Sequence, residues 1–205
     1  KVAALKGRLI QTIYQYMFRK IFISKLEHKE DLCIFSGSVC KSRHGGDSKK
    51  NFVWAHALDY QVYLDILKSN FAYKNKKKYV VFLDQNAPSH PDYIFHKNKA
   101  PVTEKFYYKS LNEFFDFFEK EYNIKVIIAS HPRNNLIKSP NKWGSRKVII
   151  NKTPSLIKNS FLVFAHYSTA ISFAVLFRKP IIQLITSEYY KSYRNEKFFA
   201  FCNEL

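Results

Sequence analysis

The stretch Ser160 to Pro180, SFLVFAHYSTAISFAVLFRKP, changes its hydrophobic period halfway, and that change most restricts how the chain can fold. Phe161 to Ala165 is a short continuous apolar run, the pattern of a strand buried on both faces, whereas Ala170, Phe173, Ala174 and Phe177 recur at helical spacing. A strand covered on both faces belongs inside a parallel sheet with helices above and below it. His166, Tyr167, Ser168 and Thr169 fill the junction. A buried strand entering a helix through a polar turn offers free backbone N–H groups, the positive end of the helix dipole and, here, two hydroxyls, which suits a phosphate. Ser and Thr also begin helices that bind nothing, so the rest of the chain has to decide between the two readings.

The same alternation runs through the chain. Tyr79–Leu83, Lys125–Ala129, Phe161–Ala165 and Pro180–Ile185 read as buried strands, with a shorter one at Val148–Ile150. Phe106–Tyr122 reads as a long helix, and Thr153-Pro154-Ser155 opens another that runs to Asn159, with Thr153 as cap and proline in the first turn. Strands alternating with helices predict an α/β fold built of doubly wound, Rossmann-like parallel sheets. Upstream, residues 1–26 carry amphipathic helical spacing, Asp31–Phe35 resembles a short buried strand, and His44–Lys50 is the most loop-like stretch. Asn51–Lys68 reads as a strand or turn leading into a helix. The run Lys74 to Lys78 precedes a fresh strand, which puts a division near residue 75. Residues 1–75 are then the remainder of an amino-terminal Rossmann-like domain and 76–205 a carboxyl-terminal one. The first residue is Lys, so the chain is expected to be incomplete at its amino end.

Lysine and arginine number 34 against 16 acidic residues, and 34 − 16 = +18 is a field that attracts nucleic acid, anionic lipid or phosphorylated substrates. The aromatic residues Phe114, Phe115, Phe117 and Phe118 cluster on a helix rather than interleaving with basic residues on a strand, so no base-stacking platform is expected and nucleic acid is not the expected partner. Cys33, Cys40 and Cys202 have no paired spacing, which argues for a reducing, cytoplasmic compartment. The seven histidines lack H-E-x-x-H spacing and no Asp-x-Asp is present, so no metal is expected. The longest apolar segment is interrupted by His166, Ser168 and Thr169, so contact with a membrane is expected only at an anionic surface.

In open parallel sheets ligands bind beyond the carboxyl ends of the strands. Those ends carry Asp84, Gln85 and Asn86; Ser130, His131, Pro132 and Arg133; His166, Ser168 and Thr169; and Thr186 and Glu188. The order Ala-Ser-His131-Pro132-Arg133, then His166-Tyr-Ser168-Thr169, then Lys179-Pro180-Ile181-Ile182 resembles the carboxyl half of GT-B-type glycosyltransferases, over roughly residues 79–190. Bacterial sialyltransferases and transferases of 3-deoxy-2-keto sugars carry similar His-Pro and paired Ser/Thr motifs and use CMP-activated donors. CDP-glycerol glycerophosphotransferases are also similar, but their pattern has Asp-Tyr-Ser-Ser and a further Asp where this chain has His166 to Thr169 and Ser172.

The resemblance implies that a CMP-sugar is the co-substrate, with no separate cofactor, and that a bacterial surface polysaccharide or lipid-linked glycan is the acceptor. It implies a location at the cytoplasmic face of the inner membrane. His131 would contact the leaving phosphate, and Ser168 and Thr169 would bind it. Arg133 adds a nearby cation on its position alone. Asp84 and Asp59 are the carboxylates best placed for a general base. Glu188, Pro132 and Thr153 are candidate ribose or base contacts, with His166, Gln85 and Asn86 as further candidates. His90-Pro91-Asp92 repeats the His-Pro pair in a loop and reads as structural. A sugar-nucleotide 2-epimerase and a basic nucleic-acid-binding module remain as alternatives, along with the polyol-phosphate transferase. The amino half is shorter than a complete GT-B domain, so most of the acceptor side is expected to be missing.

Overall fold

The computed structural model describes residues 17, 32–43, 51–69, 78–131 and 141–192. The amphipathic segment (apart from Met17), the loop 44–50, most of the lysine run, Pro132 and Arg133 lie outside the described residues. Two compact units part between Ala57 and Leu58, not near residue 75 where the lysine run pointed.

The first unit contains strand β1 (Cys33–Phe35), helix α1 (Ser38–Arg43) and strand β2 (Phe52–Trp54), with β1 and β2 parallel and Cys33 opposite Phe52. The expected buried strand is only partly buried. Phe35 is covered, its ring 6.1 Å from that of Phe52 and 6.2 Å from that of Trp54, while Ile34 is exposed.

The second unit runs α2 (Leu58–Lys68), β3 (Tyr79–Leu83), α3 (Pro91–Phe95), α4 (Glu104–Tyr122), β4 (Lys125–Ser130), β5 (Val148–Ile150), α5 (Thr153–Asn159), β6 (Leu162–Ala165), α6 (Ile171–Leu176), β7 (Ile181–Gln183) and α7 (Ser187–Lys191). Its five strands are all parallel, in the order β5-β4-β3-β6-β7. Successive strands first step outward from β3 to β5, then cross back to the other side of β3. This is the Rossmann-like order, and its switch point lies between β3 and β6. Helix α2 belongs to this unit because it packs on α5 and α6.

Strand alternation sorts the core. Val80 and Phe82, Val126 and Ile128, and Leu162 and Phe164 face α4 and form one cluster with Tyr107, Leu111, Phe115 and Trp143. Tyr79, Val81 and Leu83, Ile127 and Ala129, and Val163 and Ala165 face the other side and pack with Leu156, Ile157, Ile171 and Ala174 of α5 and α6. Strand β3, hydrogen-bonded on both edges, is buried along its whole length.

Three expectations need correction. The buried strand expected at Pro180–Ile185 is a three-residue edge strand with Ile182 exposed, because β7 has a neighbour only in β6. Helix α3 was missed, its short apolar content hidden behind the His-Pro pair; Pro91 is its first residue, where the missing N–H costs nothing. Thr153 is the first residue of α5, not its cap, and Lys152 precedes it without a side-chain bond.

Candidate functional site

Parity decides which residues of the carboxyl edge reach solvent. Ser130, the last residue of β4, and Asp84 and His166, one step past β3 and β6, continue the α4-facing alternation, and Asp84, Ser130 and His166 are buried, at 4%, 1% and 0% exposure. Gln85 and His131, one residue further, are half-buried, and Tyr167 is exposed. The candidate surface is therefore built from the residues that follow these three buried ones.

At the end of β3, Asp84 N–H donates to Ala129 O, extending the ladder, while its carboxylate accepts from Asn86 N–H at 2.8 Å. That bond turns the chain and carries Asn86 into the left-handed region, φ 53°, which asparagine tolerates. Asn86 Nδ2 then donates to Ser89 O, and Ser89 N–H to Asn86 O. The buried Asn86 Oδ1 and Gln85 Nε2 have no hydrogen-bond partner. Asp84 is thus a buried turn-former beside Tyr107 and Tyr108, whose hydroxyl pKa values are pushed up by burial and then by this carboxylate. It is not an exposed general base.

The tight loop delivers His90 to the start of α3. Its ring centroid lies 5.1 Å from that of His131, at the tip of β4, with the two planes inclined at 67°. Tyr93 packs on the other side of His90 at 5.9 Å. The Asp92 backbone N–H donates to His90 Nδ1 at 3.3 Å, and the Asp92 carboxylate lies 3.5 Å from the same nitrogen. His90 read as structural in the sequence; the structure brings the two His-Pro histidines together. The signal was visible in the repeated dipeptide, but not its meaning, which depends on β3 and β4 being neighbours.

His166 leaves the turn for the core. Its Nδ1 lies 2.5 Å from Leu184 O, so Nδ1–H donates and Nε2 keeps a lone pair, which has no partner. Its ring stands against Phe82 at 5.4 Å, Tyr107 at 5.5 Å and, nearly parallel, Tyr189 at 5.6 Å. Burial pushes its pKa down to about 4, only partly offset by the Leu184 carbonyl, so it is a neutral core side chain at pH 7.

The Ser168–Thr169 turn also differs from expectation. Ser168 Oγ accepts from Ala170 N–H at 3.3 Å, and the N–H groups of Ile171, Ser172 and Phe173 donate to the carbonyls of Ser168, Thr169 and Ala170. The amides expected to be open to a phosphate are engaged within the turn, and α6 has only six residues. The half-buried Ser168 and the exposed Thr169 offer side chains rather than backbone to the edge. Ser172 Oγ donates to Asp59 at 2.5 Å, so the second candidate base is a link between α2 and α6.

Of the three nucleoside candidates, Pro132 lies outside the described residues and the other two do not converge. Thr153 follows β5 and Glu188 follows β7, at opposite sides of the sheet and about 19 Å apart at the usual strand spacing. Both Glu188 carboxylate oxygens are taken by Thr103, from its N–H at 2.9 Å and its hydroxyl at 2.8 Å, which caps α4 from α7. A pocket of about 360 Å³ lies beside this cap, lined by Lys99, Pro101, Val102, Thr103, Glu188 and Lys191. Among the described residues, no group of three or more His, Cys, Asp or Glu side chains is arranged to hold a metal. No described helix is long and apolar enough to cross a membrane.

No family model matches the chain, and neither a curated protein nor a solved structure is similar enough to it to count as a match.

Proposed function

We propose that the sheet unit binds a CMP-activated sugar at its carboxyl edge and transfers the sugar, of the sialic-acid or 3-deoxy-2-keto type, to a glycan acceptor on the way to a bacterial surface polysaccharide. One observation carries the reading: the strand order reverses between β3 and β6, and on the two sides of that point β4 is followed by His131 and β6 by Ser168 and Thr169. In the reaction the acceptor hydroxyl attacks the anomeric carbon. The bond from that carbon to the CMP phosphate oxygen breaks, and its electron pair leaves with CMP. A donor beside the phosphate lowers the barrier as this charge grows, which is the role of His131. With the turn amides engaged, side chains rather than a helix terminus hold the phosphate. The acceptor proton goes to a base other than Asp84 or Asp59, since the first forms a buried turn and the second holds Ser172. The +18 charge supports working at an anionic membrane surface, near lipid-linked acceptors.

Calorimetric titration of the chain with CMP, UDP and a short oligonucleotide tests this. CMP is expected to bind best. Thr169→Ala, which removes an exposed hydroxyl without touching the turn's bonds, is expected to weaken CMP about ten- to a hundredfold, the scale of one hydrogen bond to a charged group. Tighter binding of the oligonucleotide, or unchanged CMP affinity in the Ser168→Ala/Thr169→Ala double variant, overturns the reading.

A further inference from the structure

We propose that His90 is a second phosphate-binding imidazole, acting with His131 as a paired donor site for the phosphate that the transfer releases; this rests on the phosphate assignment made above for His131. The two rings arrive from different loops, 41 positions apart, and meet at 5.1 Å at the edge of the sheet where ligands bind. Both are partly exposed, unlike the buried His166.

The chemistry of His90 is set by its own helix. A backbone N–H can only donate, so the Asp92 N–H fixes a lone pair on Nδ1, and the single proton of the neutral ring lies on Nε2. When the ring is charged, Nδ1–H faces the Asp92 carboxylate 3.5 Å away and Nε2 still carries its hydrogen. Nε2–H is therefore a donor in both charge states. The Nδ1 lone pair caps the first turn of α3, and the Nε2–H that this leaves is a donor for an oxyanion. Tyr93 packs on the same ring at 5.9 Å.

The position is also held firmly. The turn from Asp84 to Ser89 carries three hydrogen bonds, and Pro91 fixes the entry into α3, so His90 is presented by a built loop. Two imidazole donors side by side suit a phosphate, whose oxygens accept from several directions. The pair donates hydrogen bonds only: the broken bond's electrons remain on the CMP oxygen, and no proton need leave His90.

The test is proton–nitrogen correlation NMR of the histidine rings of the whole chain, titrated separately with inorganic phosphate, CMP and cytidine. Phosphate and CMP are expected to move the ring signals of both His90 and His131, and cytidine neither. His90→Ala should weaken CMP about tenfold, and His90→Gln, which keeps an N–H donor, should recover most of that loss. Ring signals of His131 that move with CMP while those of His90 stay fixed overturn the pairing, as does a folded His90→Ala variant with wild-type affinity. Phosphate that moves both rings, with CMP bound no better than UMP, leaves the pair standing and removes the CMP-sugar reading.

Discussion

The two faces of the five-stranded sheet are made by the same strands, yet they hold different cores. Toward α4 the core is aromatic: Phe82 lies 5.1 Å from Phe115 and 5.4 Å from Trp143, and Phe164 lies 5.0 Å from Phe118. Toward α5 and α6 it is mainly aliphatic, with Val81, Val163, Ala129, Ala165 and Ala174 beside the rings of Tyr79 and Phe173. The aromatic face also takes in polar atoms without partners, including Tyr107 Oη, Tyr108 Oη, Trp143 Nε1 and His166 Nε2. Across the sheet, the Tyr79 hydroxyl donates to Leu156 O. Large rings fill the space beneath the long helix α4 with few residues and bring polar tips inside with them, whereas smaller side chains fill the space beneath α5 and α6.

Adjacent residues of β3 provide the strongest way to break this comparison. Phe82 and Val81 are both fully buried and point to opposite faces. Phe82→Ala should cost about 3–5 kcal/mol and Val81→Ala about 2 kcal/mol, read from denaturant midpoints at constant slope. Equal costs would mean that the faces contribute alike.

His166 sharpens the comparison through pH, because its ring packs within the aromatic face. Its folded pKa of about 4 lies below the unfolded value of 6.5, so as pH falls below 6.5 the unfolded chain takes up a proton that the folded ring refuses. Its contribution is full above pH 6.5 and declines by about 1.4 kcal/mol per pH unit down to about pH 4. Thermal midpoints between these limits should fall more steeply for the wild type than for His166→Phe. Parallel curves would show that this ring does not stay neutral in the fold.

Links between helices give smaller effects. Glu188→Ala leaves Thr103 without its acceptor at the start of α4 and should cost about 0.5–2 kcal/mol in thermal unfolding, with Glu188→Gln milder. On the aliphatic face, Asp59→Ala removes the bond to Ser172 and should cost about 0.5–1.5 kcal/mol. An Asp59 loss exceeding that of Glu188 would reverse the order of the two faces.

Local pattern was enough to locate the sheet unit's strands and its longest helix, because burial on two faces leaves continuous apolar runs and burial on one face leaves helical spacing. Parity was legible too: counting by twos from Val80, Val126 and Leu162 reaches Asp84, Ser130 and His166, the tip residues that the fold buries. The pairings were not. Thr103 meets Glu188 85 positions away and Ser172 meets Asp59 113 positions away. By itself the sequence determined where the sheet unit's buried strands and its longest helix lie, since these follow from the period of neighbouring residues. Only the tertiary structure decided that His90 stands beside His131 and that Glu188 caps a helix, because strand order and helix packing bring distant residues together and no local period records them.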